Sequence, residues 1–412
     1  MHILLIHQYY LGENDSGGSR WTEFVKNWNN QGHRVTVLAG MVHYATGNKI
    51  DKYKGLYTSI EEVNPNLTII RSHVSELYNV NFLGRLWGYF SFVFSSIYAG
   101  LFKVNKKYDF IISTSPPLFI GITALVLSKF KRVPYVFEIR DLWPESAIDI
   151  GILKNKILIK LSYFLEKVIY NNALKIAVLT PAFRDKLIQN KAVSPSKIIL
   201  VPNAADFILT EDLIHNFDIN KFKVKEGLSD KFIVLYVGAH GIANHLNQVL
   251  DVAEKFRSEQ EILFLLIGDG MKKKELVQEA TKRKLVNVKF IDAVPKKEIF
   301  KYILCCDIGS SILKKVDTFK TVYSNKTFDY MSCKKPILML IDGVSRKLVE
   351  EANCGLYIEP ENILKFEEGI RFYLNNKSLL KEHGENGYKF AKKYFDRDFI
   401  SQFYLEQLQI MI

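Results

Sequence analysis

The sequence has only four cysteines, and their arrangement excludes the usual metal and disulfide sites. Cys305 and Cys306 are adjacent, Cys333 and Cys354 stand alone, and no pair has the CxxC spacing of a zinc or redox site. Unpaired thiols of this kind are typical of cytosolic proteins, in which cysteine stays reduced. We therefore expect four buried thiols, no metal and no bound cofactor.

We expect neither a signal peptide at the start of this sequence nor a nucleic-acid-binding motif within it. The first residues, MHILLIHQYY, have no basic start and too short an apolar run for a signal peptide, so they predict a strand. No helix-turn-helix, zinc-finger or arginine-rich segment occurs, and the lysines are spread along the chain. The net charge of +12 and the pI near 9.2 then indicate an acidic lipid surface or a phosphorylated substrate, and no nucleic acid.

What the sequence does have is a long alternation of apolar strands and amphipathic helices over 412 residues. This length is too great for one ordinary core, and the alternation predicts an α/β protein with parallel sheets. We expect two facing Rossmann-like domains, 1–204 and 205–389, with an interdomain cleft and a C-terminal helix at about 390–412 that packs back on the first. Residues 41–81 predict one strand, Leu67–Arg71, and 204–230 predict the crossing between domains.

The most informative stretch is FIVLYVGAHGIANHLNQVL, from Phe232 to Leu250. An apolar strand ends at Gly238, and a helix over 244–256 is predicted after Gly241. The glycines allow a tight turn and the close approach of a ligand, and the N–H groups of a helix start favour an anion. Because the pattern is neither a Walker loop nor GxGxxG, it predicts either a phosphate cradle or an ordinary strand–turn–helix.

A second glycine pair, Gly17 and Gly18, follows the first strand and precedes a helix. It predicts either a second anion site or a simple turn of the chain. Polar residues at the ends of parallel strands meet at one edge of the sheet, which is where α/β proteins bind their ligands. The residues expected at this edge of the first sheet are His7, Gly17, Gly18, Arg140, Asp141 and Glu145.

The second domain offers a matching set. Ser324, Asn325 and Lys326 precede a helix, which gives the same anion-favouring geometry, and Lys326 adds a full positive charge. Without its position after a loop and at a helix start, Lys326 would be predicted to be a solvated surface lysine. Two helix starts and a lysine at one site suit a diphosphate leaving group, whose developing charge must be stabilised away from water. The residues expected there are Gly238, His240, Gly241, Asn244, Gly268, Ser324, Asn325, Lys326 and Asp329.

Two segments of the first domain suggest a lipid surface. Residues 83–101 are apolar and aromatic with Arg85 as the only charge, which predicts a membrane span, a buried helix or a face that dips into a membrane. Residues 152–173 predict a helix with lysines around it, typical of an anionic membrane surface, although a solvated charged face is the commoner explanation. The apolar positions of that helix are Ile157, Leu158, Leu161, Leu165 and Val168.

Several blocks of sequence are similar to those of one enzyme family. They include FEIRDLWPESAIDIG, LTPAFRDKL, YVGAHGIANHL, LLIGDGMKKKEL and SNKTFDYMSCKKPIL, and together they span nearly the whole chain. On these blocks the chain resembles the GT-B glycosyltransferases of retaining family 4, within the branch that builds bacterial O-antigen and capsule repeat units. The RDLWPE and SNKTFDYM blocks are specific together, whereas the glycine patterns alone are not.

The resemblance implies a reaction and its partners. The second domain would hold a nucleotide-diphosphate sugar, expected to be UDP with an N-acetylated or 6-deoxy hexose. The first domain would bind a polyprenyl-diphosphate-linked sugar as acceptor, and transfer would retain the anomeric configuration without a metal. The resemblance also implies a cytoplasmic enzyme attached peripherally to the inner face of the cell membrane.

At several positions this sequence differs from the family pattern, and these differences change the roles expected of single residues. The family's two glutamates, eight positions apart, correspond here to Thr321 and Asp329, so only Asp329 keeps a charge for the donor hydroxyls. The arginine and lysine that usually follow the glycine loop are missing, and Lys326 is expected to supply the charge for the diphosphate.

Arg140 and Asp141 replace the family's frequent histidine in the cleft. Since the leaving phosphate can take the acceptor's proton, Asp141 is expected to orient the acceptor or the sugar. Glu145 is expected to touch the acceptor or to pair with Arg140. The catalytic set implied by the resemblance is Asp141, Lys326 and Asp329.

Other classes of function stay open. Nucleotide-sugar 2-epimerases share the two-domain architecture and would convert the donor without an acceptor. A non-enzymatic basic protein of the lipid surface would explain the charge but would leave the cleft residues unused. A dinucleotide oxidoreductase is less consistent, because neither glycine turn completes GxGxxG with an acidic residue downstream.

Overall fold

The computed structural model describes residues 1–12, 20–42, 48–79, 82–104 and 107–411. Gly17 and Gly18 lie outside the described residues. The chain divides into two compact units. Of the described residues, Met1–Gly12, Arg20–Pro202 and 400–411 belong to the first unit, and Asn203–Phe399 form the second.

One sheet forms the centre of the first unit. Its strands are β1 (His2–Ile6), β2 (Arg34–Gly40), β3 (Thr58–Asn64), β4 (Leu67–Ser72), β5 (Phe110–Ser115), β6 (Tyr135–Ile139), β7 (Lys175–Val178) and β8 (Ile198–Leu200). Their order is β3-β4-β2-β1-β5-β6-β7-β8, and all neighbours are parallel except the antiparallel pair β3 and β4. The prediction of a single strand within 41–81 was wrong, because edge strand β3 is largely exposed and lacks the apolar run of a buried strand.

Helices flank this sheet. They are α1 (Arg20–Asn30), α2 (Phe82–Tyr98), α3 (Ile120–Lys131), α4 (Glu145–Asp149), α5 (Lys156–Asn172) and α6 (Pro181–Lys191), with a π-helical turn at Ala99–Lys103 after α2. Helix α5 begins later than predicted because the side chain of Asn155 caps it, accepting from the backbone N–H groups of Ile157 and Leu158. Among the described residues, no helix combines the length and hydropathy needed to cross a bilayer, which removes that alternative for 83–101.

The second unit contains a fully parallel sheet. Its strands are β9 (Phe232–Val237), β10 (Ile262–Ile267), β11 (Val288–Ile291), β12 (Ile308–Ile312), β13 (Ile337–Leu340) and β14 (Gly355–Tyr357), in the order β11-β10-β9-β12-β13-β14. Strand β10 is buried along its whole length, as the unbroken apolar run predicts for a sheet covered on both faces. The Rossmann-like α/β fold predicted from the alternation is confirmed.

Ten helices are described in or entering the second unit. They are α7 (Phe207–Asn216), α8 (Ile219–Glu226), α9 (Asn247–Lys255), α10 (Lys273–Lys282), α11 (Lys296–Cys305), α12 (Asn325–Ser332), α13 (Val344–Glu351), α14 (Ile363–Asn375), α15 (Lys377–Tyr394) and α16 (Arg397–Gln409). Residues 204–230, predicted as the crossing between domains, contain two short helices, which are capped by the side chains of Asp206 and Asp218. Three helices follow β14.

The end of the chain packs into the first unit. The indole N–H of Trp28 on α1 donates to the carbonyl of Ser401 at 3.1 Å, and the ring of Tyr404 lies 5.9 Å from that of Trp28. Both aromatic side chains are fully buried. Helix α16 therefore completes the core beside α1.

Candidate functional site

Two loops meet at the carboxyl ends of β9 and β10. Gly238 and Gly268 have φ angles of 140° and 147°, a backbone conformation that residues other than glycine rarely adopt. A methyl group added to Gly268 would lie 1.9 Å from the carbonyl oxygen of Gly238. Both glycines are therefore required by the close approach of the two loops.

Lys326 lies beside this glycine loop. Its Nζ would be 3.6 Å from a methyl group on Gly238, it donates to Oγ of Ser324 at 3.2 Å, and it lies 4.9 Å from the ring centre of Tyr236. Burial lowers the pKa of the ammonium to about 8, and the opposing effect of Asp329 is smaller. The structure thus brings together a glycine loop and a cation that is distant in sequence.

Tyr330 holds helix α12, and with it Lys326, against β9. Its hydroxyl accepts a hydrogen bond from the backbone N–H of Val237 at 3.2 Å. The same hydroxyl is within donating distance of two backbone carbonyls, that of Leu235 at 3.2 Å and that of Ser310 at 3.3 Å. A methyl group on Gly309 would lie 2.4 Å from Cγ of the Tyr330 ring. The sequence analysis missed this tyrosine, although a glycine inside strand β12 is a signal that something packs closely there.

His240, which the sequence predicts as a donor-binding residue, lies in the loop between β9 and α9. The side chain is fully buried, and neither ring nitrogen has a hydrogen-bond partner among the described residues. Burial lowers the pKa of the imidazole to about 4, so the ring is neutral. The backbone N–H donates to the carbonyl of Asp269, and the carbonyl accepts from Lys272, both at 2.9 Å. His240 is therefore an anchor between two loops.

The helix after the glycine loop begins later than predicted. A 3₁₀ turn, Ile242–Asn244, precedes α9, which starts at Asn247. The side chain of Asn244 accepts from the N–H of Gly241 at 3.4 Å and so stabilises the loop internally. The first turn of α12, which carries Lys326, is the helix start that remains at this site.

The other predicted residues of α12 differ in exposure. Ser324 is half-buried at the N-cap position, Asn325 is exposed, and Asp329 is half-buried. Burial raises the pKa of Asp329, although Lys296 and Arg397 oppose the shift. Thr321 is buried, and its hydroxyl donates to the carbonyl of Thr318 at 2.6 Å.

The first unit places His7 and Arg140 at the carboxyl edge of its sheet. His7 follows β1, and its Nδ1 is buried without a hydrogen-bond partner among the described residues. Burial, Arg140 and Arg71 hold the pKa of His7 well below its usual value. Arg140 follows β6, and its backbone N–H donates to the carbonyl of Ser115 at 3.1 Å.

Asp141 and Glu145 have different surroundings. The hydroxyl of Ser146 donates to the half-buried carboxylate of Asp141 at 2.9 Å, and burial raises the pKa of Asp141 to about 6. The Glu145 carboxylate lies 2.6 Å from Nζ of Lys191, which also binds Glu166. The sequence prediction for Glu145 did not include this partner, because α6 lies some forty positions further along the chain.

A buried ion pair next to this edge was also missed. Arg20 donates to Glu138 at 2.9 Å, and the same carboxylate accepts from the indole of Trp21 at 2.9 Å and the hydroxyl of Thr114 at 3.1 Å. The Glu138 side chain has no exposed surface. The pair fixes α1 to the centre of the sheet.

Comparison with known proteins identifies the class of enzyme. A model described as glycosyl transferase 4-like domain matches residues 17–204, and one described as glycosyl transferases group 1 matches residues 218–390. The chain is a glycosyltransferase that carries one domain similar to each of these two families. The transferase is 23% identical to the putative colanic acid biosynthesis glycosyl transferase WcaI of Escherichia coli K12, over 99% of this chain and 100% of that protein.

Solved structures confirm the GT-B fold. The transferase superposes on sucrose-phosphate synthase from Thermosynechococcus elongatus with a TM-score of 0.76 at 15% identity, covering 100% of this chain and 98% of that one. It superposes on Anabaena HepE, solved in complex with UDP and glucose, with a TM-score of 0.72 at 18% identity, covering 99% of each chain. These identities show a shared fold, and the substrates of this transferase must be inferred from its own site.

Proposed function

We propose that the transferase moves a sugar, with retention, from UDP to a polyprenyl-diphosphate-linked saccharide during assembly of O-antigen or capsule repeat units. The observation that supports this proposal most directly is the position of Lys326 beside Gly238. A buried ammonium next to a glycine backbone stabilises the negative charge that develops on a leaving diphosphate. HepE, with UDP and UDP-glucose bound in its solved structures, supports a nucleotide-sugar donor.

The remaining donor contacts follow from α12. Ser324 and Asn325 stand at its N-terminus, where backbone N–H groups favour a phosphate oxygen. Asp329 lies one turn further along the helix and is available to accept hydrogen bonds from ribose or sugar hydroxyls. In this scheme the diphosphate is bound by Gly238, Gly241, Gly268 and Lys326, and Asn244 keeps the loop in shape.

The acceptor is assigned to the first unit, at the edge that carries His7, Arg140 and Asp141. The pKa of about 6 leaves most of the Asp141 carboxylate ionised at neutral pH. An ionised carboxylate accepts a hydrogen bond from an acceptor hydroxyl and orients it, and the leaving phosphate receives its proton. Glu145 contributes indirectly, since its bond to Lys191 fixes α4 directly after Asp141.

Three adjacent helices of the first unit carry an exposed apolar surface, which we term the apolar face. Helices α2 and α3 join through the hydroxyls of Ser96 and Thr123 at 2.9 Å, and α3 meets α5 at Gly121 and Ile169. Single exposed apolar residues are ordinary, but a cluster on adjacent helices marks an interaction site. The apolar face consists of Trp87, Phe94, Phe102, Phe130, Ile157, Leu161 and Phe164.

Lysines border the apolar face. Lys156, Lys160 and Lys167 are exposed on α5 beside its apolar residues, as are Lys103 and Lys129 near the ends of α2 and α3. Apolar side chains ringed by cations match an anionic bilayer surface, where each basic residue contributes about 1 kcal/mol. We therefore propose that the enzyme is peripheral on the cytoplasmic face of the membrane, where a lipid-linked acceptor is presented.

A turnover assay tests this proposal. The purified enzyme is incubated with UDP-sugars and lipid-linked mono- or disaccharides in vesicles, and products are analysed by mass spectrometry and by NMR of the anomeric proton. We expect a lengthened lipid-linked saccharide with the donor's anomeric configuration. An isomerised free nucleotide sugar without acceptor would instead indicate the epimerase reaction, and an inverted linkage would contradict retention.

A further inference from the structure

Four buried polar atoms at one edge of the first sheet have no hydrogen-bond partner among the described residues. They are Nδ1 of His7, Oε1 of Gln8, Nε of Arg71 and Oγ of Ser72, and each side chain is less than one-tenth exposed. His7 and Gln8 follow β1, while Arg71 and Ser72 end β4, with β2 between the two strands. Unpaired buried polar atoms are rare in proteins and costly, so a cluster of them indicates that something else occupies the site.

Arg71 is a buried cation held by uncharged groups. Its Nη1 donates to the carbonyls of Tyr10 at 2.8 Å and Gly40 at 3.2 Å, and its side chain is 6% exposed. Within the described part of the chain, its guanidinium forms no salt bridge, although its charge acts on the carboxylate of Glu61. A buried charge normally needs a counter-ion, because the loss of hydration is otherwise uncompensated.

A second arginine stands at the same carboxyl edge of the sheet, on the other side of β1. Arg140 follows β6, two strands beyond β1 in the sheet. Both arginines lower the pKa of His7, so the positive potential of each extends to the imidazole. The neutral ring adds a hydrogen-bonding group that carries no charge of its own. Two guanidinium groups and a neutral imidazole form a set that suits the geometry of phosphate oxygens.

We propose that Arg71, Arg140 and His7 form an anion site in the first unit that binds the diphosphate of the acceptor. Arg71 and Arg140 approach the phosphate oxygens from opposite sides of β1, and His7 donates or accepts one hydrogen bond between them. The identity of the acceptor as a lipid-linked diphosphate rests on the proposed function. The anion site itself rests on the buried groups above.

The test uses inorganic pyrophosphate as the probe and His7 as a local reporter. The full-length enzyme is labelled at histidine with ¹³C, the His7 signal is assigned with a His7→Asn variant, and pyrophosphate is titrated with saturating UDP present. We expect a saturable shift of the His7 signal. In Arg71→Gln and Arg140→Gln the dissociation constant should rise about tenfold or more, as expected for the loss of a hydrogen bond to a charged group.

Arg34→Gln is the matched control, because Arg34 is exposed at the opposite end of β2 in the same sheet. It should bind pyrophosphate as the wild type does. If Arg71→Gln does not fold, Arg71→Lys, which keeps the charge but loses the fork geometry, should still weaken binding measurably. No shift of the His7 signal, or an unchanged constant in the Arg140→Gln variant, would overturn the proposal.

Two further measurements identify the source of the anion and distinguish this site from the donor site. With a lipid-linked saccharide as substrate, Arg71→Gln should raise the KM for acceptor about tenfold and leave the KM for UDP-sugar unchanged. An unchanged acceptor KM would contradict the assignment to the acceptor. Absence of UDP binding by calorimetry, with the His7 shift intact, would refute the proposed donor and leave the anion site standing.

Discussion

At the scale of single residues, the role proposed for Lys326 predicts that donor binding depends on pH. Its pKa of about 8 places the loss of its charge just above neutral pH, and a bound diphosphate favours the ammonium. Affinity for UDP should therefore be full below about pH 7 and fall by up to about tenfold per pH unit above pH 8, until the pKa of the complex is reached. Calorimetry from about pH 7 to 9.5 checks this.

Lys326→Arg provides the control for that pH profile. An arginine stays charged throughout this range, so its UDP affinity should not decline with pH even if it is lower overall. A wild-type affinity that stays constant up to about pH 9.5 would exclude Lys326 as the titrating group.

The buried pair of Arg20 and Glu138 predicts a loss of stability. Glu138→Gln leaves the guanidinium without its counter-ion in a site with no exposed surface, which should cost about 3–5 kcal/mol. The melting temperature of the full-length protein measures this. Asp185→Asn removes a carboxylate from an exposed pair with Arg184 and should change stability by less than about 1 kcal/mol. Equal effects of the two variants would contradict the structural role of Glu138.

Some site residues were predictable from the sequence and others were not. Lys326 follows a polar loop and opens a helix, so its position in the pattern was informative. Arg71 lies inside an ordinary strand, and Tyr330 reads as one more apolar position of a helix. Their roles depend on which atoms contact them across the sheet, and these contacts cannot be predicted from the local sequence.

At the scale of elements, buried strands were the most predictable part of the fold. Strands β9 and β10 are apolar runs that each end at a glycine, and parallel sheets bury both faces of such runs. Edge strand β3 and helix α8 were missed because each is short and largely exposed, and helix α7 because it is short and fully buries only Phe207, Thr210 and Leu213. The hydrophobic pattern is weak wherever an element has little to bury.

Helix α5 shows the limit of that pattern. The apolar positions of its sequence pattern include Ile157 and Leu161, and these side chains are 71% and 56% exposed. The side of α5 that faces the unit instead buries Ser162, Glu166 and Ile169, with Glu166 held by Lys191. An apolar stripe on a helix therefore does not always mark the side that packs on the core.

The outward apolar residues of α5 predict vesicle binding. Replacing Ile157, Leu161 and Phe164 together by serine should weaken binding to anionic vesicles by about tenfold or more, with the melting temperature nearly unchanged. Co-sedimentation with vesicles measures this. The matched control replaces Ile208, Val224 and Val286, equally exposed in the second unit, by serine, and should bind as the wild type does. If both triple variants bind like the wild type, the apolar face is not the lipid-binding surface.

At the scale of the whole molecule, the alternation of strands and helices was enough to predict two Rossmann-like units. It was not enough to predict which distant residues meet. Gly238 and Lys326 are brought together because β9 and β12 are neighbours in the sheet and α12 follows β12. The order of parallel strands places their ends side by side, and this order is a property of the fold, not of local sequence.

The central claim is that Lys326 and the glycine loop bind a nucleotide diphosphate. Titration calorimetry with UDP tests it most directly, comparing wild type with Lys326→Ala and with Lys347→Ala, an exposed lysine on α13 in the same unit. We predict that Lys326→Ala weakens UDP binding by about tenfold to a hundredfold and that Lys347→Ala leaves it unchanged. Equal UDP affinity in all three proteins would contradict the account.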